Sequence, residues 1–241
     1  MDEKILGVIG GMGPMATAYF MELIIQMTKA ETDQQHLPMI IYNMPTIPDR
    51  TAYILDNTKE CPLPKMCAIG KALQQQKVCC IAVSCMTAHY FMDQLEQNIS
   101  VPVINGVRET ATYLKEQGIR KVGIMATDGT VRSGIFHREL EKQGLEPIVP
   151  DEKAQADVMH LIFENVKAGK PAEMTRFWSV KENLQQKGAQ AIILGCTELS
   201  IIKRDETIGA GFIDAMEVLA RQAVRFCGKT VKPEYDCLIT K

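Results

Sequence analysis

Two cysteines, Cys85 and Cys196, stand where sequence alone places chemistry. Each follows the last apolar residue of a strand-like run by one small residue, Ser84 or Gly195, and each is followed closely by a threonine, Thr87 or Thr197. In an open parallel sheet, ligands bind beyond the carboxyl ends of the strands. A helix starting just after each thiol predicts a lowered thiol pKa, because the helix N-terminus favours the thiolate. Two thiols facing each other across a cleft suit proton transfer. One thiolate takes a proton from carbon, and the opposite thiol returns one to the other face of the planar carbanion. That inverts a stereocentre with no metal and no pyridoxal group. A redox pair is the competing use of two thiols, but such pairs lie close together in sequence. None of the eight cysteines forms a C-x-x-C motif, which also excludes a zinc ribbon. The other six (Cys61, Cys67, Cys79, Cys80, Cys227 and Cys237) read as small buried hydrophobes.

The elements that must position these thiols alternate between short apolar β-type runs and helical patterns. Ile5–Ile9, Met39–Tyr42, Val78–Val83, Val101–Ile104, Lys121–Met125 and Ala191–Leu194 read as strands. Helices are predicted from Pro14 to about Lys29, Ala88 to Gln97, Glu109 to Gln117, Gly134 to Gln143, Val158 to Lys167 and Phe177 to Gln186. The last helix places Met216, Leu219, Ala220, Ala223, Val224 and Cys227 on one face. This alternation with short connections predicts a parallel α/β architecture.

The chain also repeats itself. Leu73-Gln74-Gln75 through Ile81 to Cys85 recurs as Leu184-Gln185-Gln186 through Ile192 to Cys196. Leu6-Gly7-Val8-Ile9 with Gly13 recurs as Val122-Gly123-Ile124-Met125 with Gly129, and Ile104-Asn105 recurs as Ile213-Asp214. Three matches in the same order predict two pseudo-symmetric α/β halves, 1–105 and 106–213, each a mostly parallel sheet flanked by helices, with the active site between them. Residues 214–241 read as a C-terminal helix and tail returning to the first half.

Composition narrows the class. With 46% hydrophobic and 23% charged residues over 241 positions, the chain is of ordinary globular make-up. Its formal net charge of −2 offers no basic surface for nucleic acid or an anionic membrane. The start, Met1-Asp2-Glu3-Lys4, is polar rather than secretory, and no apolar run is long enough to span a bilayer. A cytoplasmic enzyme is expected.

Four segments add up to a family resemblance. Gly10-Gly11-Met12-Gly13-Pro14, Ile47-Pro48-Asp49-Arg50-Thr51, Cys85-x-Thr87-Ala88-His89 and Leu194-Gly195-Cys196-Thr197-Glu198-Leu199, in that order over nearly the whole chain, together resemble the aspartate/glutamate racemases. The resemblance implies a cofactor-independent amino-acid racemase, usually a homodimer, with Cys85 and Cys196 as the two bases. It implies a small acidic amino acid as substrate, aspartate first, with glutamate or another amino acid as the alternative. Met12, Thr87, Thr127 and Thr197 would line the site. Arg50 resembles the arginine that grips the side-chain carboxylate in the aspartate-selective branch. Lys167, in Val166-Lys167-Ala168-Gly169, resembles a lysine facing the acidic substrate, and Glu198 would orient the ammonium group or a thiol. Two cations suit a dianionic substrate. Where the family has asparagine after its first cysteine, this chain has Met86, which offers substrate only its backbone N–H.

Two other readings compete. Gly11-x-Gly13-x-x-Ala16, with Glu31 or Asp33 about twenty residues on, also fits a dinucleotide fingerprint. Met86 leaves room for a non-catalytic amino-acid binder on the same fold. His89 reads as a core or capping histidine, and His36, His137 and His160 carry no motif. No metal-ligand cluster or cofactor motif is found.

Overall fold

The computed structural model describes residues 4–241; Met1, Asp2 and Glu3, read above as a polar start, lie outside the described residues. The first sheet is built of β1 (Leu6–Gly10), β2 (Met39–Asn43), β3 (Cys80–Val83) and β4 (Val103–Ile104). The second is built of β5 (Lys121–Met125), β6 (Glu146–Ile148), β7 (Ala191–Leu194) and β8 (Phe212–Asp214). Both run in the same spatial order, β2-β1-β3-β4 and β6-β5-β7-β8, with each neighbouring pair of these strands parallel. The direction of progression reverses between β1 and β3, and again between β5 and β7. At such a switch point the connections leave to opposite sides and open a crevice beyond the strand ends. Cys85 follows β3 and Cys196 follows β7, so each thiol stands at its own half's crevice.

Helices α1 (Pro14–Met27), α2 (Arg50–Leu55), α3 (Leu63–Gln75), α4 (Met92–Asn98) and α5 (Gly106–Glu116) belong to the first stretch of chain. Then come α6 (Asp128–Ser133), α7 (Ile135–Lys142), α8 (Glu152–His160), α9 (Met174–Gln186), α10 (Thr197–Asp205) and α11 (Ala215–Phe226). The period-2 alternation of each strand divides its side chains between two cores. Leu6, Val8, Cys80 and Ala82 join Val122, Ile124, Ala191 and Ile193 in a central core with α1, α5, α7 and α11. Ile9, Ile81 and Val83 face an outer core under α3 and α4. Met125, Ile192 and Leu194 face another under α8 and α9. The central core therefore joins the two sheets and fixes the crevices relative to one another.

The helix after each last strand crosses over. α5 packs on α7 and α11, while α11 packs on α1 and α5. All six residues expected on the inner face of α11 are buried. The tail divides its contacts: Val231 bridges to Thr28 after α1, whereas Ile239 bridges to Ile213 in β8 of the second half.

Helix extents differ where local geometry intervenes. The helix expected over Gly134–Gln143 is α7, with Gly134 at φ +68 as its N-cap, while α6 just before it goes beyond the elements read from the sequence. The helix expected from Ala88 is a tight 3-10 turn over Thr87–Phe91 before α4 begins. The helix expected over Val158–Lys167 starts earlier, as α8, and widens into a π-type turn over Leu161–Val166. Helices α2 and α3 and strands β6 and β8 go beyond the elements read from the sequence.

Candidate active site

The turn after β1 is made possible by glycine. Gly11 has φ +94, and a Cβ there would stand 2.3 Å from the backbone of Met44. Only glycine accepts both the angle and the approach. A Cβ on Gly10 would likewise meet Thr17 at 2.4 Å. The chain's own close packing uses these glycines, and the turn delivers Met12 to the wall of a narrow cavity between the halves. A Cβ on Gly13 would lie 3.7 Å from Glu198 Oε1, so the turn also borders the second half's acid.

From the first half the cavity receives Met12, Arg50, Cys85 and Thr87; from the second it receives Thr127, Lys167, Cys196 and Glu198. Both thiols are nearly enclosed, at 5% exposure each. Their environments differ. Cys85 Sγ makes no hydrogen bond with the described residues. Cys196 donates its S–H to Glu198 Oε2 at 2.8 Å, and Glu198 Oε1 pairs with Lys167 Nζ at 2.7 Å. The helix α10 does begin directly after Cys196. Yet burial, and then the Glu198 carboxylate, push this thiol well above its ordinary pKa, against the opposing pull of Lys167. The expected lowering by the helix start is therefore reversed at Cys196, because desolvation and a like charge outweigh a partial dipole charge. Burial also works against the charge of Lys167, but Glu198 and the two thiols outweigh it and hold its pKa above the usual value.

Arg50 is the first residue of α2, whose N-cap Asp49 accepts the Ala52 N–H at 2.7 Å. Its guanidinium is buried and donates only to carbonyls: Pro48 at 2.9 Å, Ile47 at 3.3 Å and Met12 at 3.4 Å. Its Nε has no hydrogen-bond partner. Among the described residues no carboxylate pairs with it, so a buried cation faces the cavity with its charge uncompensated. Beside it lies a hydroxyl cluster. Thr127 Oγ1 meets Thr51 and Thr87 at 3.2 Å and Thr130 at 3.0 Å, and Thr130 donates to Thr87 at 2.9 Å.

His89 sits behind Cys85 as a clamp. Its Nε2 accepts the Gly106 N–H at 3.0 Å, which leaves Nδ1–H to donate to the Cys85 carbonyl at 3.0 Å. Full burial pushes its pKa down to about 4, so it is neutral and structural, as its sequence position suggested.

Two residues expected at the site do not line the cavity. Met86 is 1% exposed and belongs to the central core with Val8, Ala82, Ile104 and Leu219; its side chain does not line the cavity. Its αR backbone turns it away from the crevice that Cys85 faces. Thr197 does not itself line the cavity but is buried at the start of α10, its hydroxyl reaching Glu198 Oε2 at 3.4 Å. The cavity adds Asp49, Thr51 and Phe163. Asp49 and Thr51 flank Arg50 in a segment the sequence had marked. Phe163 carried no signal; it reaches the site because the wide turn after α8 places its ring 5.5 Å from Lys167 Nζ.

Chemically, the arrangement offers one thiol held as a proton donor, a second thiol with no competing partner, and a cation for an anion bound between them. Comparison with known proteins gives the same picture. Residues 9–223 match the family Asp/Glu/Hydantoin racemase. The chain is 27% identical to the broad specificity amino-acid racemase RacX of Bacillus subtilis (strain 168), over 91% of this chain and 96% of that protein. It superposes on Picrophilus torridus aspartate racemase with a TM-score of 0.83, at 32% identity, covering 96% of this chain and 97% of that one. An aspartate racemase homologue from Pyrococcus horikoshii OT3, at 23% identity and TM-score 0.74 over 94% and 99% of the two chains, shares the fold. The chain belongs to the Asp/Glu/Hydantoin racemase family and is an isomerase of the two-cysteine, cofactor-independent kind.

Proposed function

We propose that this enzyme interconverts L- and D-aspartate, with Cys85 and Cys196 acting on opposite faces of the α-carbon. The observation that carries the reading is Arg50, a buried guanidinium bordering the same cavity as both thiols with no acidic partner. An uncompensated buried charge is costly, and a substrate carboxylate relieves that cost while being gripped through paired N–H donors. The threonine hydroxyls offer donors for the second carboxylate. Glu198, anchored by Lys167, accepts from the Cys196 thiol and borders the space for a substrate ammonium.

In the forward step a Cys85 thiolate takes the α-proton, and the Cys196 thiol gives its own to the opposite face. The resulting Cys196 thiolate is stabilised by Lys167. The aspartate racemase among the similar structures supports the substrate assignment. A second reading, wider specificity including glutamate or neutral amino acids, is favoured by the Lys167–Glu198 pair. That pair leaves only Arg50 as a free cation, and one cation suffices for an α-carboxylate. The full-length likeness to a broad specificity racemase agrees with this second reading.

The deciding experiment is a racemisation screen of all common amino acids with Arg50→Leu beside the parent enzyme. Loss of a charge-assisted pairing is worth about 1.5–3 kcal/mol, or roughly 10- to 150-fold in kcat/KM. That loss should fall on aspartate and be much smaller on alanine or serine. Equal loss on every substrate would assign Arg50 to the α-carboxylate or to the scaffold, and the aspartate reading would fail.

A further inference from the structure

Three thiols that the reaction does not use meet at the opposite end of β3 from Cys85. Cys80 opens that strand, Cys79 precedes it, and Cys227 caps the C-terminal end of α11. At about 3.3 Å per residue, the five residues from Cys80 to Cys85 put the cluster about 16 Å from the active site along the chain. The Sγ atoms form a triangle: Cys79 to Cys227 at 3.4 Å, Cys80 to Cys227 at 3.6 Å and Cys79 to Cys80 at 3.8 Å. Read singly, each is a small hydrophobe. Mutual contact of all three, contributed by two elements far apart in sequence, goes beyond what filling a core demands.

We propose that Cys79, Cys80 and Cys227 form a binding site for a thiophilic d10 cation, best fitted by Cu(I). Thiolate–metal bonds of about 2.3 Å in a planar three-coordinate site put the sulfurs about 4.0 Å apart. The triangle needs to open by only a few tenths of an ångström. Among the described residues no fourth cysteine, histidine or carboxylate joins the group. Zn(II) normally takes four ligands, whereas soft thiolates select Cu(I). Cys80 and Cys227 are buried and Cys79 is half-buried, which leaves an approach from one side. Lys4 Nζ stands 3.7 Å from where a Cβ of Gly228 would be, beside Cys227, and provides a counter-charge for the thiolates. On loading, the three thiols release three protons to solvent as three S–Cu bonds form, with no change in oxidation state. The bound ion would tie the start of β3 to the end of α11 and so join the first sheet to the crossing helix.

The test uses the full chain, reduced and anaerobic, with Cys85→Ser and Cys196→Ser so that the catalytic thiols cannot take the ion. Cu(I) is titrated in competition with bicinchoninate. The expected result is one ion per chain, a rise in Tm on loading, and X-ray absorption showing three sulfurs at about 2.3 Å. Adding Cys227→Ser should remove both the bound ion and the Tm rise, with circular dichroism of the metal-free variant reporting its fold. If that variant unfolds, the more exposed Cys79→Ser takes its place. Failure to retain Cu(I), retention unchanged in the folded serine variant, or preferential four-coordinate binding of Zn(II) would each overturn the proposal.

Discussion

The two thiols occupy equivalent places in two halves of the same design, yet only one has a carboxylate beside it. Cys196 gives its proton to Glu198 in a hydrogen bond and is held as a thiol, while Cys85 has no such acceptor. The internal repeat duplicated strand, crevice and nucleophile, but not the groups that set where the proton rests. This difference is the ground for the proposed step, with Cys85 as base and Cys196 as acid. For a racemase the equilibrium constant is one, so kcat/KM in the two directions must remain equal however unlike the two bases are. The asymmetry has to be sought in isotope exchange and pH dependence instead.

The largest effect is expected from the thiols themselves. Cys85→Ala or Cys196→Ala should lower racemisation by about 10³-fold or more, since each removes one face's only proton carrier. In heavy water the two variants should part company. Cys196→Ala keeps the unencumbered base and should still wash deuterium into the α-position of one enantiomer without inverting it. Cys85→Ala, left with a thiol held by Glu198, should do neither. Equal wash-out in both would show that the two thiols are equivalent and that the Glu198 contact does not matter.

The halves also anchor their thiols differently. Behind Cys85, neutral His89 ties the Cys85 carbonyl to the Gly106 N–H at the start of α5. At the repeated position behind Cys196, Ser200 instead donates to Asp214 at 2.7 Å, and Asp214 accepts the Met216 N–H at 2.9 Å in α11. With its pKa pushed down to about 4, His89 binds fewer protons in the folded state than in the unfolded one between that value and about 6.5. Stability from this residue is therefore full above about pH 6.5 and is lost as pH falls toward 4, by about 3 kcal/mol. Asp214 carries the opposite sign, because burial raises its carboxyl, so its contribution fades as pH rises. Urea midpoints measured from pH 7 to 4 should fall less steeply in His89→Gln than in the parent. An unchanged slope would mean that the imidazole is not what links acid to unfolding.

A smaller effect follows from the charges around Cys196. The Glu198 carboxylate raises this thiol and Lys167 lowers it. Glu198→Gln should shift the Cys196 limb of the kcat/KM–pH profile down, and Lys167→Met should shift it up. If neither variant moves a limb, the group titrating there is not Cys196.

Much of this architecture was readable because it rests on patterns that burial imposes directly. Strand alternation splits Leu6 and Val8 from Ile9, and the α11 stripe from Met216 to Cys227 is buried along its length. Strand-end positions marked Cys85 and Cys196, and the family resemblance implied Met12, Arg50, Thr87, Thr127, Lys167 and Glu198; all eight meet at one cavity. What escaped was set by backbone geometry at single residues. Met86 follows a cysteine at a strand end, yet an αR backbone sends its side chain into the central core. Phe163 reaches the cavity only through a π-type turn that no spacing rule announces. The pKa direction of Cys196 differs from the expectation because it depends on burial and on Glu198 hydrogen-bonded to the thiol at 2.8 Å, not on the helix start alone.

The mildest test compares the two turns that open the crevice. Gly11 and Thr127 hold the same place in the repeat, one after β1 and the other after β5. Gly11 lets the chain pass Met44, and α1 begins at Pro14 with Gly13 as an N-cap that has no side chain to offer. Thr127 instead caps α6, its Oγ1 accepting the Thr130 N–H at 3.2 Å while touching Thr51 and Thr87 of the first half. One hydroxyl thus serves as helix cap and as a link across the cavity. Thr127→Ala should cost about 1 kcal/mol for the cap, a fall in Tm of roughly 2–4 °C for a chain of this length. If the cluster also holds a substrate carboxylate, KM should rise in Thr127→Ala and return in Thr127→Ser, which keeps the hydroxyl. A Tm loss with unchanged KM would confine Thr127 to the scaffold and leave Arg50 as the carboxylate's principal partner.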